Sequence, residues 1–368
     1  MKTALVLSGG GARGAYQAGV LAGLVECGLM GRGELPFPIL VGNSAGAINA
    51  AALAAHAETV QDGIAELTAV WGNLRPHRVF RTDPLTLLKN ALRWMRDLSL
   101  GGLLGHVGSR SLLDTEPLGR LLARIPLERI PGHVLAGRLR ALAVGATNYQ
   151  TGNGVLFLEG HPDLPLWERP RHRVERTSLG VQHLLASSSI PLFFPPVAIE
   201  GRYFGDGCVR NSNPLSPAIQ LGADRVLAIG VRQPYPQPEF SQQLQAPSVA
   251  QVVGILLDAV MLDALETDTD HSERINRQVA ASGGNREPFR QVAVLCLNPS
   301  QSLSALAAGL MYRLPPVVRY LLRGLGGDES SAELASYLLF DAAFTDRLLE
   351  LGRRDVRSQQ DKIGAFLA

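Results

Sequence analysis

The sequence has few cysteines and no long apolar run. Its 368 residues include three cysteines, at positions 27, 208 and 296. Because they are odd in number and lack metal-ligand spacing, they exclude a disulfide framework and predict reduced thiols in a cytoplasmic protein. No uninterrupted apolar stretch reaches the roughly 18 residues of a membrane span. No signal-peptide core follows Lys2, so we expect neither a membrane-spanning helix nor a leader.

Lysine is scarce, and the charge is nearly balanced. Lysines stand at positions 2, 89 and 362 alone, so almost all positive charge is arginine. The net charge of +2 gives no reason to expect a nucleic-acid partner. Hydrophobic residues make up 46% of the chain, which predicts a globular protein with a sizeable core and excludes extensive disorder.

The most informative stretch runs from Pro38 to Asn49. An apolar run is followed by Gly42-Asn-Ser44-Ala45-Gly46 and then by an alanine-rich segment. This order predicts a strand, a sharp turn carrying a serine, and a helix, with glycines where side chains would clash. Such a corner exposes the Ser44 hydroxyl beside the free N–H groups of a helix start, which can bind an oxyanion. The alternative is a simple turn with a helix cap.

A glycine-rich loop follows the first predicted strand. Gly9, Gly11 and Gly14 match the spacing of a dinucleotide-binding loop, so a nucleotide-binding protein is one alternative. That interpretation requires an acidic residue after the second strand, where Gly42-Asn-Ser44 stands instead. We therefore interpret the loop as an anion cradle of backbone N–H groups to which Arg13 adds positive charge. A glycine loop that serves tight packing is the other alternative.

Asp206-Gly207 follows a predicted strand, which suits a carboxylate presented at the edge of an open sheet or a plain Asx turn. A serine nucleophile needs a base. The order Ser44, Asp206, His271 permits a triad, although His271 lies in a polar helix start. The other choice is a dyad in which Asp206 itself takes the proton from Ser44, helped by an oxyanion site and a dry cleft.

Four motifs together resemble the patatin-like phospholipases, in particular bacterial members. They are the loop at 9–14, the elbow at 42–46, the Ser- and Pro-rich segment at 187–196, and Asp206-Gly-Cys208 with Asn213-Pro214. The resemblance covers roughly residues 3–232. It implies a three-layer α/β/α fold with a mostly parallel central sheet, and a lipid acyl hydrolase without cofactor or metal. The family motif has Gly or Ala where this chain has Cys208.

The resemblance also implies roles for individual residues. Ser44 is the expected nucleophile and Asp206 the expected base. Gly10, Gly11, Ala12 and Ala45 form the expected oxyanion hole. The residues expected to support the substrate site are Gly9, Arg13, Gly14, Gly42, Gly46 and Gly207.

We expect residues 1–232 to form the catalytic α/β domain, 233–247 a linker-like segment, and 248–368 a mainly helical part that completes or packs on the same domain. Residues 75–112 form a candidate lid or membrane-facing insertion, because basic residues alternate there with leucines and aromatics. An ordinary helix with a solvated face explains the same pattern. The expected partner is a lipid or phospholipid ester, with peripheral contact at the inner membrane surface and no oligomeric state defined.

Overall fold

The computed structural model describes residues 1–83, 85–90, 92–93, 96, 111–233, 248–285, 289–325 and 328–368. In those ranges none of the helices has both the length and the apolar composition needed to cross a membrane. All of the predicted linker at 233–247 except residue 233, and most of the segment at 91–110, lie outside the described residues.

A central sheet of ten strands organises the chain. In the described residues the strand order is β10-β9-β1-β2-β3-β4-β6-β5, and β8 pairs with β3 and β7. The first five strands of that order run parallel, and β4 turns back antiparallel to β3. The strands are β1 (Thr3–Leu7), β2 (Ile39–Asn43), β3 (Ala141–Asn148), β4 (Asn153–Gly160), β5 (Glu168–Arg169), β6 (His172–Arg176), β7 (Val197–Ile199), β8 (Arg202–Asp206), β9 (Arg225–Ile229) and β10 (Ala293–Leu297).

Helices cover both faces of this sheet. They are α1 (Ala15–Glu26), α2 (Ala45–Ala55), α3 (Val60–Gly72), α4 (Glu116–Leu122), α5 (Ile130–Leu135), α6 (Val181–Ser187), α7 (Ser216–Gln220), α8 (Val249–Met261), α9 (Asp263–Ala281), α10 (Leu303–Ala308), α11 (Pro316–Leu325), α12 (Asp328–Leu338), α13 (Ala342–Ser358) and α14 (Gln360–Leu367). Short 3₁₀ turns at Gly11–Gly14 and Gly207–Arg210 follow β1 and β8.

The alternation along β1 shows why the fold has three layers. Leu5 and Leu7 enter the larger apolar cluster, whereas Ala4 and Val6 enter a smaller cluster on the opposite face. Successive strand residues point to opposite faces, so a strand that is apolar at every position needs cover on both. The chain is therefore an α/β protein with a mostly parallel central sheet, as the sequence predicts.

The local elements agree with the sequence except in two places. The predicted helix start at His271 is wrong, because α9 begins at Asp263. Strands β5 and β6 were not expected, since their residues are polar and rich in arginine. The division into a catalytic domain and a C-terminal part stays a prediction. Strand β10 of the C-terminal part pairs with β9 in the central sheet.

Glycines allow α1 and α13 to pack in backbone contact. A Cβ atom at Gly19 would collide with the backbone of Leu349, and one at Gly352 would lie 2.5 Å from the Tyr16 carbonyl oxygen. Tyr16 then donates a hydrogen bond of 3.1 Å to Asp355 on α13. This contact fixes α13 against the helix that follows the glycine loop.

We expect Gly19→Ala to lower the free energy of unfolding by about 1–3 kcal/mol, because the added methyl group separates α1 from α13. The matched control is Gly132→Ala on α5, where a Cβ would meet nothing within 4 Å. There the higher helix propensity of alanine should leave stability unchanged or raise it slightly. Urea unfolding measures both variants, and equal stability of the two would contradict the close-packing argument.

Candidate active site

Ser44 stands alone at the corner between β2 and α2. Its φ of 54° lies in a region that side chains avoid, which costs of order 1–3 kcal/mol. Its backbone N–H donates a 2.9 Å hydrogen bond to the Ser187 hydroxyl at the end of α6. The corner is possible because Gly42 and Gly46 have no side chains. A Cβ at Gly42 would lie 2.6 Å from Ala47 Cα, and one at Gly46 would lie 2.5 Å from the Ser8 carbonyl oxygen.

The glycine loop runs beside this corner. Gly9 touches the Ser44 side chain closely, since a Cβ there would lie 3.0 Å from Ser44 Cβ and would collide with Cys208 Sγ. Gly10 and Gly11 have φ values of 149° and 57°, which favour glycine. Gly11 and Ala12 begin the 3₁₀ turn Gly11–Gly14 and Ala45 begins α2, so their N–H groups lie in first helical turns, where N–H groups have no partner within the helix. For the Gly10 N–H, no acceptor is recorded in the described turns and loops.

Arg13 differs from its expected role. Its side chain is 2% exposed and forms an ion pair with Glu333 on α12. Arg13 Nε also donates to the Ser336 hydroxyl at 2.8 Å, and the guanidinium lies 4.3 Å from the centre of the Tyr337 ring. The charge is therefore neutralised at α12 and does not add to an anion cradle beside Ser44.

Asp206 ends β8 and is fully buried. Three hydrogen bonds hold it: its N–H donates to the Ser189 carbonyl at 3.1 Å, Thr147 Oγ1 donates to its carbonyl at 2.8 Å, and the Cys208 N–H donates to Oδ1 at 2.9 Å. Burial raises the pKa of Asp206 to about 6, although the Cys208 amide, the Ser44 hydroxyl and the Cys208 thiol oppose this shift.

Ser44 and Asp206 are both incompletely paired. Among the described residues, neither Ser44 Oγ nor Asp206 Oδ2 has a hydrogen-bond partner, although both atoms are buried. The Ser44 hydroxyl is near enough to lower the pKa of the carboxyl, yet no hydrogen bond of standard geometry joins the two groups. Buried polar atoms are normally paired, so these two are candidates for chemistry.

Cys208 fills the space between Asp206 and the glycine loop. Burial raises the pKa of its thiol, and the Asp206 carboxylate adds to that shift. A buried cysteine with a raised pKa is a poor nucleophile. Cys208, which stands where the family motif has Gly or Ala, therefore leaves the turn at Gly207 in place and adds no reactive thiol.

A largely apolar cavity opens from Ser44. It has about 870 Å³ of empty space, its mouth included, and runs between α2, α3 and α4. Its lining residues include Gly11, Ser44, Ala45, Ile48, Ala52, His56, Trp71, Leu118, Ile190, Phe194 and Phe340. One face of α2 forms a wall from Ala45 to His56, which spans about 16 Å at the rise of an α-helix. The cavity thus matches a long apolar group more closely than a polar ligand.

The structure places the alternative base elsewhere. His271 is exposed on α9 and lines a different cleft together with Asp268 and Asn276. Around Ser44, the sequence interpretation missed Ser187 as the acceptor for the Ser44 amide. It also missed a buried chain in which Trp71 Nε1 donates to Asn49 Oδ1 at 2.9 Å and Asn49 Nδ2 donates to the Gly14 carbonyl at 3.0 Å. The run of serines at 187–189 was the sequence signal that could have pointed to Ser187.

The profile of the patatin-like phospholipases matches residues 5–219. This span includes the elbow, the glycine loop and the Asp206 turn, so the chain belongs to the patatin-like phospholipase family. A curated relative, the cGAMP-activated phospholipase of Pseudomonas aeruginosa (strain BWHPSA011 / Pa011), is 30% identical over 240 residues. The match covers 61% of this chain and 61% of that relative.

The matches among solved structures have low TM-scores and low sequence identity. Human GIVD cytosolic phospholipase A2, in complex with methyl gamma-linolenyl fluorophosphonate, is 16% identical with a TM-score of 0.40, and the match covers 100% of this chain and 58% of that one. VipD from Legionella pneumophila is 16% identical with a TM-score of 0.33, and the match covers 95% and 66%.

We expect Asp206→Asn to raise the free energy of unfolding at pH 8 by about 3 kcal/mol, the equivalent of the pKa shift. The folded-state pKa of about 6 lies above the unfolded value, so the ionised carboxylate destabilises the fold above pH 6. This penalty disappears as pH falls from 6 to 4, because the folded protein then binds the extra proton. Urea unfolding at pH 8 and pH 4 measures the effect against exposed Asp62→Asn, which should change little. A variant less stable than wild type at pH 8 would contradict the explanation.

Proposed function

We propose that the protein is a serine lipid acyl hydrolase of the phospholipase A, lysophospholipase or esterase type, and that Ser44 and Asp206 form its catalytic dyad. The observation that carries the proposal is the pair of buried, unpartnered atoms Ser44 Oγ and Asp206 Oδ2. The substrate carbonyl would lie at the Ser44 end of the apolar cavity. Family membership supports the reaction class.

In the proposed reaction, Asp206 Oδ2 takes the proton of Ser44 Oγ as that oxygen attacks the ester carbonyl carbon. The tetrahedral intermediate collapses when the alcohol leaves with the proton from Asp206. An acyl group then remains on Ser44. A water molecule gives its proton to Asp206, attacks this acyl group and releases the fatty acid, and the proton returns to Ser44.

The oxyanion would accept hydrogen bonds from the N–H groups of Gly10, Gly11, Ala12 and Ala45. Support comes from the place of Gly11, Ala12 and Ala45 in first helical turns, whose N–H groups have no partner within the helix, and from the contact of Gly9 with Ser44. Fixed amides that need no reorganisation stabilise such an intermediate by several kcal/mol. Gly14, Gly42, Gly46 and Gly207 would support the site by permitting close backbone approach.

A pKa of about 6 suits Asp206 for this role. An unperturbed carboxylate, with a pKa near 4, is a weak base toward a hydroxyl group. Burial makes Asp206 a stronger base while leaving it ionised at neutral pH. The pKa of the serine hydroxyl is still higher than that of Asp206, and the oxyanion hole would offset this remaining difference.

Alternatives from other classes have less support. A nucleotide-binding function of the glycine loop is opposed by its packing, since a Cβ at Gly10 would lie 2.5 Å from Val231 and one at Gly11 would collide with the Tyr337 carbonyl. A Ser44–Asp206–His271 triad is opposed by the place of His271 on α9.

Peripheral membrane contact stays a prediction. Within residues 75–112, the described leucines at positions 85, 88 and 92 are exposed, and the rest of that segment is partly outside the described residues. Binding to anionic vesicles that weakens with salt would support it.

The Pseudomonas relative suggests a second proposal, that a cyclic nucleotide regulates hydrolysis by this chain. The relative's name states activation by cGAMP, and 61% of this chain aligns with it. This regulation is independent of the choice of base.

We expect Ser44→Ala to reduce hydrolysis of p-nitrophenyl esters by roughly 10³-fold or more, and Asp206→Asn to do the same, because each removes one half of the dyad. In wild type, kcat/KM should rise with pH through about 6 as Asp206 ionises.

The matched controls are Ser178→Ala and Asp62→Asn, both at exposed positions. They should keep wild-type rates. Full activity of Ser44→Ala would refute the mechanism. Loss of activity in His271→Ala with retention in Asp206→Asn would replace the dyad by a histidine-based site.

The cavity predicts a limit on acyl length. Ala52 lines the cavity along α2, so Ala52→Phe should lower turnover of long-chain p-nitrophenyl esters at least about tenfold, while the acetate ester is hydrolysed as before. Ala65→Phe, at an exposed position of α3, is the control. Equal losses with long and short esters would show that the cavity does not hold the acyl chain.

A further inference from the structure

A second large cleft lies beside the smaller apolar cluster, away from the Ser44 cavity. It has about 1080 Å³ of empty space, its mouth included, and lies between β4, β6 and the start of α7. Its floor reaches Asn43, Gly145 and Gly207, which lie at the ends of β2 and β3 and next to Asp206. We name it the basic cleft after the side chains that surround it: Arg169, Arg171, His172, Arg173 and Arg210.

The charge of the basic cleft has one sign. None of its lining residues is acidic. Arg173 lies 3.8 Å from Glu175, a loose contact, and within the described chain no ion pair is recorded for Arg169, Arg171 or Arg210. A cleft with walls of one charge concentrates ions of the opposite charge. Arg169 and Arg210 both lie near enough to His172 for their charges to act on it, and a bound anion would offset this concentration of positive charge.

Three of these basic residues, Arg169, His172 and Arg210, lie close together. A Cβ at Gly154 would lie 2.9 Å from His172 Nδ1 and 3.4 Å from Arg210 Cβ, so both residues lie over the backbone of β4. Burial lowers the pKa of His172, and the nearby charges of Arg169 and Arg210 lower it further. Arg171, at the turn between β5 and β6, has a φ of 65°, a strained conformation for a residue with a side chain.

We propose that the basic cleft binds a phosphorylated nucleotide. Arginine forks match the oxygens of phosphate groups in pairs, and several forks around one cleft suit a ligand with more than one phosphate. Trp167 is half-buried in the same wall and offers a flat apolar surface on which a base can stack.

The basic cleft is joined to the Asp206 turn. Arg210 is the last residue of the 3₁₀ turn Gly207–Arg210, whose capping residue is Asp206. Gly207 packs tightly on β2 and β3, since a Cβ there would lie 2.7 Å from Asn43 Oδ1. A nucleotide bound to Arg210 would therefore shift the position of the Asp206 carboxylate. This coupling rests on the proposed function, whereas binding itself does not.

The test titrates the chain of 368 residues with cGAMP, inorganic phosphate and vesicles of anionic phospholipid, and measures thermal stabilisation and calorimetric heat. We expect cGAMP to raise the Tm of wild type. The double variant Arg169→Gln/Arg210→Gln should need at least about tenfold more cGAMP, since it loses two phosphate contacts. Arg129→Gln, an exposed arginine near α5, is the matched control and should bind as wild type does. Arg210→Gln alone serves if the double variant does not fold.

Binding of cGAMP that the double variant loses and the control keeps would support the proposal. Inorganic phosphate that binds as tightly as cGAMP, or arginine-dependent binding to vesicles without nucleotide binding, would overturn it. Equal binding of cGAMP by wild type and by the double variant would also overturn the proposal. Repeating the titration with Ser44→Ala separates the two proposals, because this variant should bind cGAMP whether or not the chain is a hydrolase. If bound cGAMP leaves ester hydrolysis unchanged, the coupling to Asp206 is refuted.

Discussion

The turn at Ser44 is the constraint on which the rest of the site depends. The chain passes from β2 into α2 at one residue, and only a strained backbone conformation, with a φ of 54°, achieves this. Glycines on either side allow Ala47 and the carbonyl oxygen of Ser8 to approach closely, and the Ser187 hydroxyl holds the amide. Such strain persists only where the surroundings determine the backbone completely.

A fully paired polar network surrounds this strained corner. Gln17 donates to the carbonyl groups of Ser8 and Ile229, and Asn49 donates to Gln17 and to the Gly14 carbonyl. These neutral groups join the glycine loop, α2 and β9 in one buried unit. Ser44 Oγ, Asp206 Oδ2 and the neighbouring Asn43 Oδ1 are among the buried atoms that have no partner in the described residues, and they stand beside it. Polar networks in which every group is hydrogen-bonded make a core rigid. Buried polar groups without a hydrogen-bond partner concentrate at functional sites.

Sequence reasoning succeeded where the signal was local. The elbow and the glycine loop each follow an apolar strand of the parallel part of the sheet, and parallel strands bring their carboxyl ends to one edge. Asp206-Gly207 also follows an apolar strand, but β8 pairs antiparallel with β3, so this rule does not place Asp206. It failed where the partner is distant: Arg13 is paired with Glu333, 320 residues further along the chain. The arginine-rich strands β5 and β6 were missed because short polar strands lack an apolar alternation. The walls of the Ser44 cavity come from several separate segments, which no spacing rule joins.

The contacts of α12 with the glycine loop have a consequence for biosynthesis. Gly11 packs on the Tyr337 carbonyl, and Arg13 is bonded to Ser336, 323 residues further along the chain, so the loop acquires its final surroundings from a late helix. A ribosome-bound chain that has folded only its first 232 residues lacks these contacts. The loop therefore reaches the arrangement described above only after α12 has been synthesised and has packed against it.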